Sequence, residues 1–250
     1  MKYSAALALA ATLAAARPGH GPIRQHHSGA RIAGSTPKYS DNWSGANHVG
    51  SGITHVEGTI VIPSYTGGDP KRSISVWIGV DGDGDCPRQG NKHAGIWQTG
   101  FDLYANGHIQ GWSEWYPKYT TDFHGFDVKA GDKVKMSIDL SSDTAGVATL
   151  ENLTTGESVS ANGTAPDGSP VCRKLADWIV EDYQAGSKKV PIFNFGTLTV
   201  TDAHATGDAG AFTADGGQVI DLEPNGADKI LTDCEINAGA VSCKYIGDDK

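Results

Sequence analysis

Hydrophobic and polar residues alternate along much of the chain beyond residue 50. In 133–140, apolar residues fill the even positions, while Lys, Ser and Asp fill the odd positions. A period of two turns one set of side chains toward a core and the other toward solvent, which is the pattern of a half-buried β-strand. The 3.6-residue period of an amphipathic helix does not recur.

Similar runs predict further strands, separated by turn clusters of Gly, Pro, Asp and Ser such as 67–70 and 166–170. The predicted strands are 53–62, 74–80, 95–104, 108–116, 133–140, 147–153, 175–183, 192–200, 218–222, 229–236 and 240–246. Parallel strands need long crossover connections, usually helices, and none is predicted. We therefore expect an all-β fold, an antiparallel β-sandwich.

The first 38 residues differ from the rest in composition. Residues 4–16 form an unbroken run of Ala, Leu, Ser and Thr behind Lys2, which is typical of a signal peptide and too short to span a bilayer. Residues 17–38 contain Arg, Gly, Pro and His but no acid, as in a basic pro-segment or a disordered tail. We expect a signal peptide at 1–16, one of these two segments at 17–38, and a single domain at 39–250. The mature protein is then secreted and not associated with a membrane.

Charge and cysteine content limit the partners, the compartment and the cofactors that the protein is expected to have. The chain has 29 acidic and 20 basic residues, a net charge of −9, which argues against a nucleic-acid partner. The four cysteines suit an oxidising compartment. Cys234 and Cys243 flank a turn between two predicted strands and are expected to pair, which leaves Cys86 with Cys172. No zinc-binding or redox motif is present, so neither a metal nor a cofactor is expected.

Three Asn-x-Ser/Thr triplets are candidate glycosylation sites in a secreted protein. They begin at Asn42, Asn152 and Asn162.

Several polar residues lie on strands among aromatic residues. Alternation places three sets on shared faces: Trp77 with Asp81, Trp112 with Glu114 and Tyr116, and Asp177 with Glu181. Gln98 lies in an apolar setting where its amide needs partners. Carboxylates flanked by Trp and Tyr favour a catalytic groove, while each residue taken alone is also compatible with a structural role.

Four motifs, in order along the chain, resemble the eqolisins, the glutamic peptidases of fungi. They are Asp41–Ala46, Val76–Gly82, Trp97–Gly100 and Trp178–Asp182. Trp112–Pro117 and Phe193–Phe195 are similar to the family as well, so the resemblance extends from about Tyr39 to about Val200.

The resemblance implies an acid-active endopeptidase on a sandwich of two curved antiparallel sheets, a concanavalin-like jelly roll. It places the catalytic pair at Gln98 and Glu181, and it also implies the disulfide Cys86–Cys172. Substrate-binding positions implied by the family are Trp43, Trp77, Asp81, Asp102, Trp112, Glu114 and Tyr116. Two departures are a longer loop at 82–97, which affects the rim of the groove, and Gln110 in place of an expected acid, which affects the tuning to acid pH.

The implied pair is chemically coherent. Ionised Glu181 can take a proton from a bound water and return it to the leaving nitrogen. Gln98 can accept from that water and donate to the developing oxyanion. A glutamate near its reference pKa of about 4.3 is half-ionised in mild acid, which fits an acid-active enzyme. We expect a monomer that acts on polypeptide substrates.

Two alternatives remain open on the sequence. One is a secreted glycoside hydrolase that uses Glu114 and Glu181 as its two carboxylates. The other is a non-catalytic carbohydrate-binding sandwich with Trp112, Trp115 and Tyr116 as stacking platforms. Gln98 separates the three hypotheses, because only the peptidase mechanism requires an amide beside the carboxylate.

Overall fold

The computed structural model describes residues 37–82, 95–185, 188–224 and 229–248. The described residues form eighteen strands and no helix. The strands are β1 (Lys38–Ser40), β2 (Trp43–Val49), β3 (His55–Val61), β4 (Ser73–Val80), β5 (Ile96–Tyr104), β6 (Ile109–Tyr116), β7 (Thr121–Asp122), β8 (Lys133–Ser142), β9 (Ala145–Asn152), β10 (Glu157–Thr164), β11 (Leu175–Glu181), β12 (Gln184–Ala185), β13 (Lys188–Lys189), β14 (Thr197–Gly207), β15 (Gly210–Thr213), β16 (Gln218–Leu222), β17 (Thr232–Asn237) and β18 (Ala240–Tyr245).

Most strands belong to two large sheets. Sheet A has the order β1-β16-β2-β11-β4-β5-β6-β7, and sheet B has the order β10-β9-β8-β3-β14-β18-β17, with β15 also paired to β14. A separate two-stranded ribbon joins β12 and β13. Every described pair is antiparallel except β1 with β16, which is parallel. The predicted all-β sandwich is confirmed, with this one parallel pair as a difference.

The main core lies between the two sheets. It takes apolar residues such as Val76 and Phe101 from sheet A and Met136 and Leu150 from sheet B, all fully buried. Trp178 also links the layers, because its indole nitrogen donates a hydrogen bond of 2.8 Å to the backbone carbonyl of Glu57. Alternation along each strand sends the remaining side chains to the two outer faces.

The strand predictions hold where the hydrophobic pattern is strong and fail where it is weak. Predicted 133–140 corresponds to β8 and predicted 74–80 to β4. The strand expected at 192–200 instead begins at Thr197 and continues to Gly207, through a register shift between Thr201 and His204. Strand β10, rich in Ser, Asn and Gly, was not predicted, because an exposed edge strand carries little apolar signal.

The Cys234–Cys243 disulfide is confirmed: the two residues lie directly opposite each other on β17 and β18, with Cα atoms 4.1 Å apart. The other predicted pair includes Cys86, which lies outside the described residues, as do the signal peptide at 1–16 and all but the last residues of 17–38. These remain predictions. No helix among the described residues is long and apolar enough to cross a membrane.

Two of the three candidate glycosylation sites are unsuited to carry a glycan in the folded protein. Asn42 and Asn152 are buried, and their side-chain nitrogens donate hydrogen bonds to Glu181 and Asp132. Asn162 on the edge strand β10 is exposed, so it remains a predicted glycosylation site.

Candidate active site

The outer face of sheet A is the face turned away from the main core. On its central strands, the register aligns side chains into rows that run across β11, β4, β5 and β6. The three rows are Ile179–Trp77–Gly100–Trp112, Asp177–Gly79–Gln98–Glu114 and Glu181–Ser75–Asp102–Gln110. Six of the predicted site residues therefore share one face: Gln98, Glu181, Trp77, Asp102, Trp112 and Glu114.

A compact apolar cluster covers the middle of this face. It contains Trp43, Trp77, Ile96, Trp112, Ile179 and Ile220, with Tyr116 packed against it. The rings of Trp43 and Trp77 meet edge to face, with centroids 5.0 Å apart. Gly100 lies between Trp77 and Trp112, and a Cβ there would come within 2.1 Å of the Val76 carbonyl oxygen. Glycine is required at that position because the neighbouring backbone approaches too closely for a side chain.

Glu181, at the end of β11, is held by two donors. Asn42 donates to Oε1 at 3.1 Å, and the indole nitrogen of Trp77 donates to Oε2 at 2.8 Å. The side chain is almost fully buried. Both contacts are N–H groups directed at carboxylate oxygens, so they are satisfied best when Glu181 is ionised.

Gln98, in the middle of β5, is held by a carboxylate on the neighbouring strand. Its Nε2 donates to Oε2 of Glu114, directly opposite on β6, at 2.6 Å. Its carbonyl oxygen Oε1 is buried and has no hydrogen-bond partner among the described residues. A buried amide oxygen normally accepts a hydrogen bond from protein or from ordered water, so Oε1 has an acceptor capacity that the described residues do not use.

The two predicted catalytic residues flank one strand. Glu181 lies opposite Ser75 of β4, Gln98 lies opposite Gly79 of the same strand, and Trp77 stands between these two positions. Both side chains are on the same face of the sheet, and Trp77 contacts Glu181 directly.

Asp81 has a different environment from the one predicted. It follows β4 with a positive φ of 66°, and its two carboxylate oxygens accept four backbone N–H bonds, of 2.5–3.0 Å, from consecutive residues 172–175. Burial raises the pKa of this carboxyl, and the four N–H donors oppose that effect. Asp81 therefore fastens the segment before β11 rather than presenting its carboxylate to a substrate.

The remaining predicted residues lie near the edges of the face. Asp102 is partly exposed and lies opposite Gln110, whose side chain donates to the Gly111 carbonyl at 2.9 Å. Tyr116 is partly buried at the margin of the apolar cluster. These side chains are accessible enough to meet a bound chain.

Sequence reasoning assigned no role in the site to two residues, Asn42 and Asp177, the second of which it had only placed on the same face as Glu181. Asn42 was considered only as a glycosylation site, yet its amide binds Glu181. Asp177 is fully buried, and it occupies the same row as Gln98 and Glu114, with only Gly79 between it and Gln98. The signal was the strand itself, since an acid inside a continuously apolar run is expected to be buried and to have a specific role.

One group of described residues has the geometry of a metal site, and it lies elsewhere. His55, Glu57 and His204 bring ligand atoms within 4.8 Å of one another on sheet B. The expectation of no metal ligands rested on motif spacing, which does not detect residues so far apart in sequence.

An open β-sandwich with a buried carboxylate and a buried amide on one aromatic face has the components of a hydrolase that activates water. Comparison with known proteins identifies the class. A family model described as the peptidase A4 family matches residues 41–245. The chain belongs to the peptidase A4 family, the eqolisins, and is a glutamic-type endopeptidase.

Characterised relatives extend over nearly the whole chain. Scytalidopepsin B of Scytalidium lignicola is 34% identical over 270 aligned positions, which cover 98% of this chain and 100% of that protein. Aspergillopepsin-2 of Aspergillus niger is 33% identical over 239 positions, which cover 86% of this chain and 82% of that protein.

Solved structures show the same fold. Scytalido-glutamic peptidase with a transition state analog inhibitor has a TM-score of 0.73 and 36% identity, covering 82% of this chain and 98% of that chain. Aspergilloglutamic peptidase from Aspergillus niger has a TM-score of 0.63 and 33% identity, covering 70% of this chain and 99% of that chain.

Proposed function

We propose that Gln98 and Glu181 are the catalytic pair of a secreted, acid-active endopeptidase that hydrolyses unfolded polypeptides. The observation that carries the proposal is the buried amide oxygen of Gln98 without a partner among the described residues, on the same face as a carboxylate held by two N–H donors. A water molecule between the two side chains would satisfy the amide and be activated by the acid.

In this mechanism Glu181 is the general base and then the general acid. Its carboxylate takes a proton from the water as the water attacks the peptide carbonyl, and it returns that proton to the leaving nitrogen. Asn42 and Trp77 keep both carboxylate oxygens in place throughout, so little reorganisation accompanies the proton transfer.

Gln98 orients the water and stabilises the charge that develops. Its Oε1 accepts from the water, while Nε2 carries two hydrogens, one of which binds Glu114. The second hydrogen is available to the oxyanion of the tetrahedral intermediate. Glu114 then acts as a positioning residue, because its contact fixes which end of the amide faces the water. This engagement also disfavours Glu114 as one of two glycosidase carboxylates.

Operation in acid is supported by two carboxyls near the site. Burial raises the pKa of Asp81 and of Asp182, in the second case against the opposing effect of Lys189. A carboxyl with a raised pKa binds protons more tightly in the folded protein than in the unfolded chain. Its contribution to stability is therefore present at low pH and is lost as the pH rises through the folded pKa.

The proposal is tested by proteolysis of denatured serum albumin at pH 3 and pH 7, with and without EDTA. We expect cleavage at pH 3, no cleavage at pH 7, and no effect of EDTA. Glu181→Gln should lower kcat at least about 10³-fold, in line with the loss of a general base. Gln98→Ala should lower kcat about 10²- to 10³-fold, as for the loss of an oxyanion donor.

Matched controls come from sheet B. Glu235→Gln and Asn237→Ala change the same kinds of side chain at exposed positions of β17 and should retain full activity. Circular dichroism and melting temperature verify that each variant is folded. Near-normal activity of folded Gln98→Ala would refute the pair, and loss of activity in EDTA would indicate a metal-dependent reaction.

A further inference from the structure

Three side chains converge on the outer face of sheet B. The register of β3 and β14 places Glu57 directly opposite His204, and alternation along β3 places His55 on the same side as Glu57. The Nε2 atom of His55 lies 3.1 Å from Oε2 of Glu57, and the Nε2 atom of His204 lies 3.6 Å from Oε1. Both imidazoles thus direct the same ring nitrogen toward one carboxylate.

The other nitrogen of each ring is held by a separate acceptor. Nδ1 of His55 lies 2.8 Å from Oδ1 of Asp139 on β8, and Nδ1 of His204 lies 3.2 Å from the backbone oxygen of Asp202. Asp202 lies within the register shift of β14 and has a positive φ of 52°, a backbone bend that accompanies this contact. An acceptor at Nδ1 keeps the proton there and leaves Nε2 with its lone pair free to bind a metal ion.

We propose that His55, Glu57 and His204 bind a divalent transition-metal ion such as Zn²⁺. A tetrahedral ion with ligands at about 2.1 Å keeps its donor atoms about 3.4 Å apart. The two imidazole nitrogens lie 3.1 Å and 3.6 Å from different oxygens of Glu57, and one donor atom from each of the three residues lies within 4.8 Å of the others, so small side-chain adjustments would bring them to that spacing. Two imidazoles and one carboxylate favour Zn²⁺ over Ca²⁺ or Mg²⁺, which prefer sites made of oxygen atoms. The fourth position faces solvent, because the three side chains are only partly buried, and water fills it.

The charges around the cluster favour a cation. Asp139 and Glu57 supply negative charge, while Lys135, which faces them from β8, is paired with Glu151 at 3.1 Å. A bound ion would link β3 to β14, the two neighbouring strands that supply the three ligands.

This site is independent of the proposed catalytic pair. It lies on the outer face of sheet B, on the opposite side of the main core from Gln98 and Glu181. Zn²⁺ binding at neutral pH and EDTA-insensitive proteolysis in acid are therefore compatible.

Calorimetric titration of the full chain with ZnCl₂ at pH 7.0, where the enzyme is expected to be inactive, tests the proposal. All proteins in the test carry His26→Ala and His27→Ala, because these adjacent histidines lie outside the described residues and can bind Zn²⁺ on their own. We expect binding that His204→Ala weakens more than 10-fold and that Asp139→Asn weakens about 10- to 100-fold through the orientation of His55. Zn²⁺ should also raise the melting temperature of the parent protein at pH 7.0 and not that of His204→Ala.

The control is His124→Ala, an exposed histidine outside the cluster, which should bind Zn²⁺ with unchanged affinity. Substituting CaCl₂ for ZnCl₂ should give no binding that depends on His204. The proposal is overturned if Zn²⁺ binds with equal affinity before and after His204→Ala. It is equally overturned if Zn²⁺ leaves the melting temperature of the parent protein unchanged at pH 7.0, since that result identifies a hydrogen-bonded cluster alone.

Discussion

The outer faces of the two sheets follow the same alternation but treat their polar residues differently. On sheet B, the outward positions of β8 and β9 are mostly exposed or half-buried, so burial alternates strictly along β9. On sheet A, every residue of β4 and of β11 is buried, including the outward-facing Asp177 and Glu181. The outward face of sheet B is a solvated surface, whereas the central strands of sheet A bury carboxylates and an amide beside a cluster of tryptophans and isoleucines.

This difference indicates which face of a β-sandwich can hold catalytic side chains in fixed positions. A carboxylate at an exposed position interacts mainly with water, and its contacts contribute little. A carboxylate buried among tryptophans is fixed by a few N–H donors in a medium of low dielectric constant, where each contact is stronger. The same kind of side chain should therefore respond very differently on the outward face of sheet A and elsewhere. Four paired substitutions test this: three have their control on sheet B, and one has its control on the core side of sheet A.

The largest effect is expected for Asp81. Asp81→Ala removes the acceptor of four backbone N–H groups in a buried segment, and we expect the free energy of unfolding to fall by at least about 3 kcal/mol. Glu235→Ala at an exposed position of sheet B should change it by less than about 0.5 kcal/mol. Urea denaturation at pH 4 measures both. Equal effects would show that Asp81 does not fasten this segment.

The next effect concerns Glu114, the acceptor of Gln98. Glu114→Ala leaves the amide free to turn, and we expect kcat to fall about 10²-fold with little change in KM. Glu114→Gln retains an acceptor oxygen and should restore part of the rate. Glu151→Ala, the same change in a half-exposed ion pair of sheet B, should leave the rate unchanged. A rise in KM with constant kcat would instead assign Glu114 to substrate binding.

A smaller effect is expected for Trp77. Trp77→Phe retains an aromatic ring but removes the N–H that binds Glu181, and we expect kcat to fall about 10-fold, as for the loss of a hydrogen bond to a charged group. Trp97 is the matched control, because it faces the main core and its indole nitrogen has no partner among the described residues. Trp97→Phe should lower the melting temperature through lost packing while kcat is retained. Equal losses of kcat would mean that bulk, and not the donor, is required.

The smallest effect is expected for Asp182, as a change in how the melting temperature depends on pH. Because burial raises the pKa of Asp182, the wild-type protein should lose stability as the pH rises through that folded pKa. Asp182→Asn cannot ionise, so melting temperatures recorded between pH 3 and pH 7 should decline less steeply. Asp233→Asn, the same substitution at a partly exposed position of β17 on sheet B, serves as the control and should leave the profile unchanged. A steeper decline for Asp182→Asn would mean that its ion pair with Lys189 outweighs the cost of burial.

The sequence predicts this molecule best where one physical signal dominates. Strict alternation located β8, and the position of Cys234 and Cys243 around a turn predicted their disulfide. Gln98 was noted as a polar residue in an apolar strand, which is costly unless it has partners, but its pairing with Glu181 came from the resemblance to the family. The hydrophobic pattern could not predict that both side chains lie on one face of one sheet, because that depends on which strands become neighbours.

What was missed depends on contacts between distant parts of the chain. Asn42 reaches Glu181 across 139 positions, and the cluster of His55 with His204 requires β3 and β14 to be adjacent. Asp81 was assigned to substrate binding through the resemblance to the family, while the four amides that surround it come from a segment about 90 positions later. Periodicity describes one strand at a time, so it identifies faces but not the residues that meet across strands.

The parallel pairing of β1 with β16 has a consequence for how the enzyme comes into being. β1 pairs with Ile220–Leu222, and Asn42, which holds the proposed base, follows β1 by two residues. The first of the described strands can therefore pair only after residues 220–222 have been synthesised. Removal of residues beyond Lys38 would destabilise this edge of sheet A and the position of Asn42. Proteolytic activity is therefore expected to require that β1 and β16 are both present and paired.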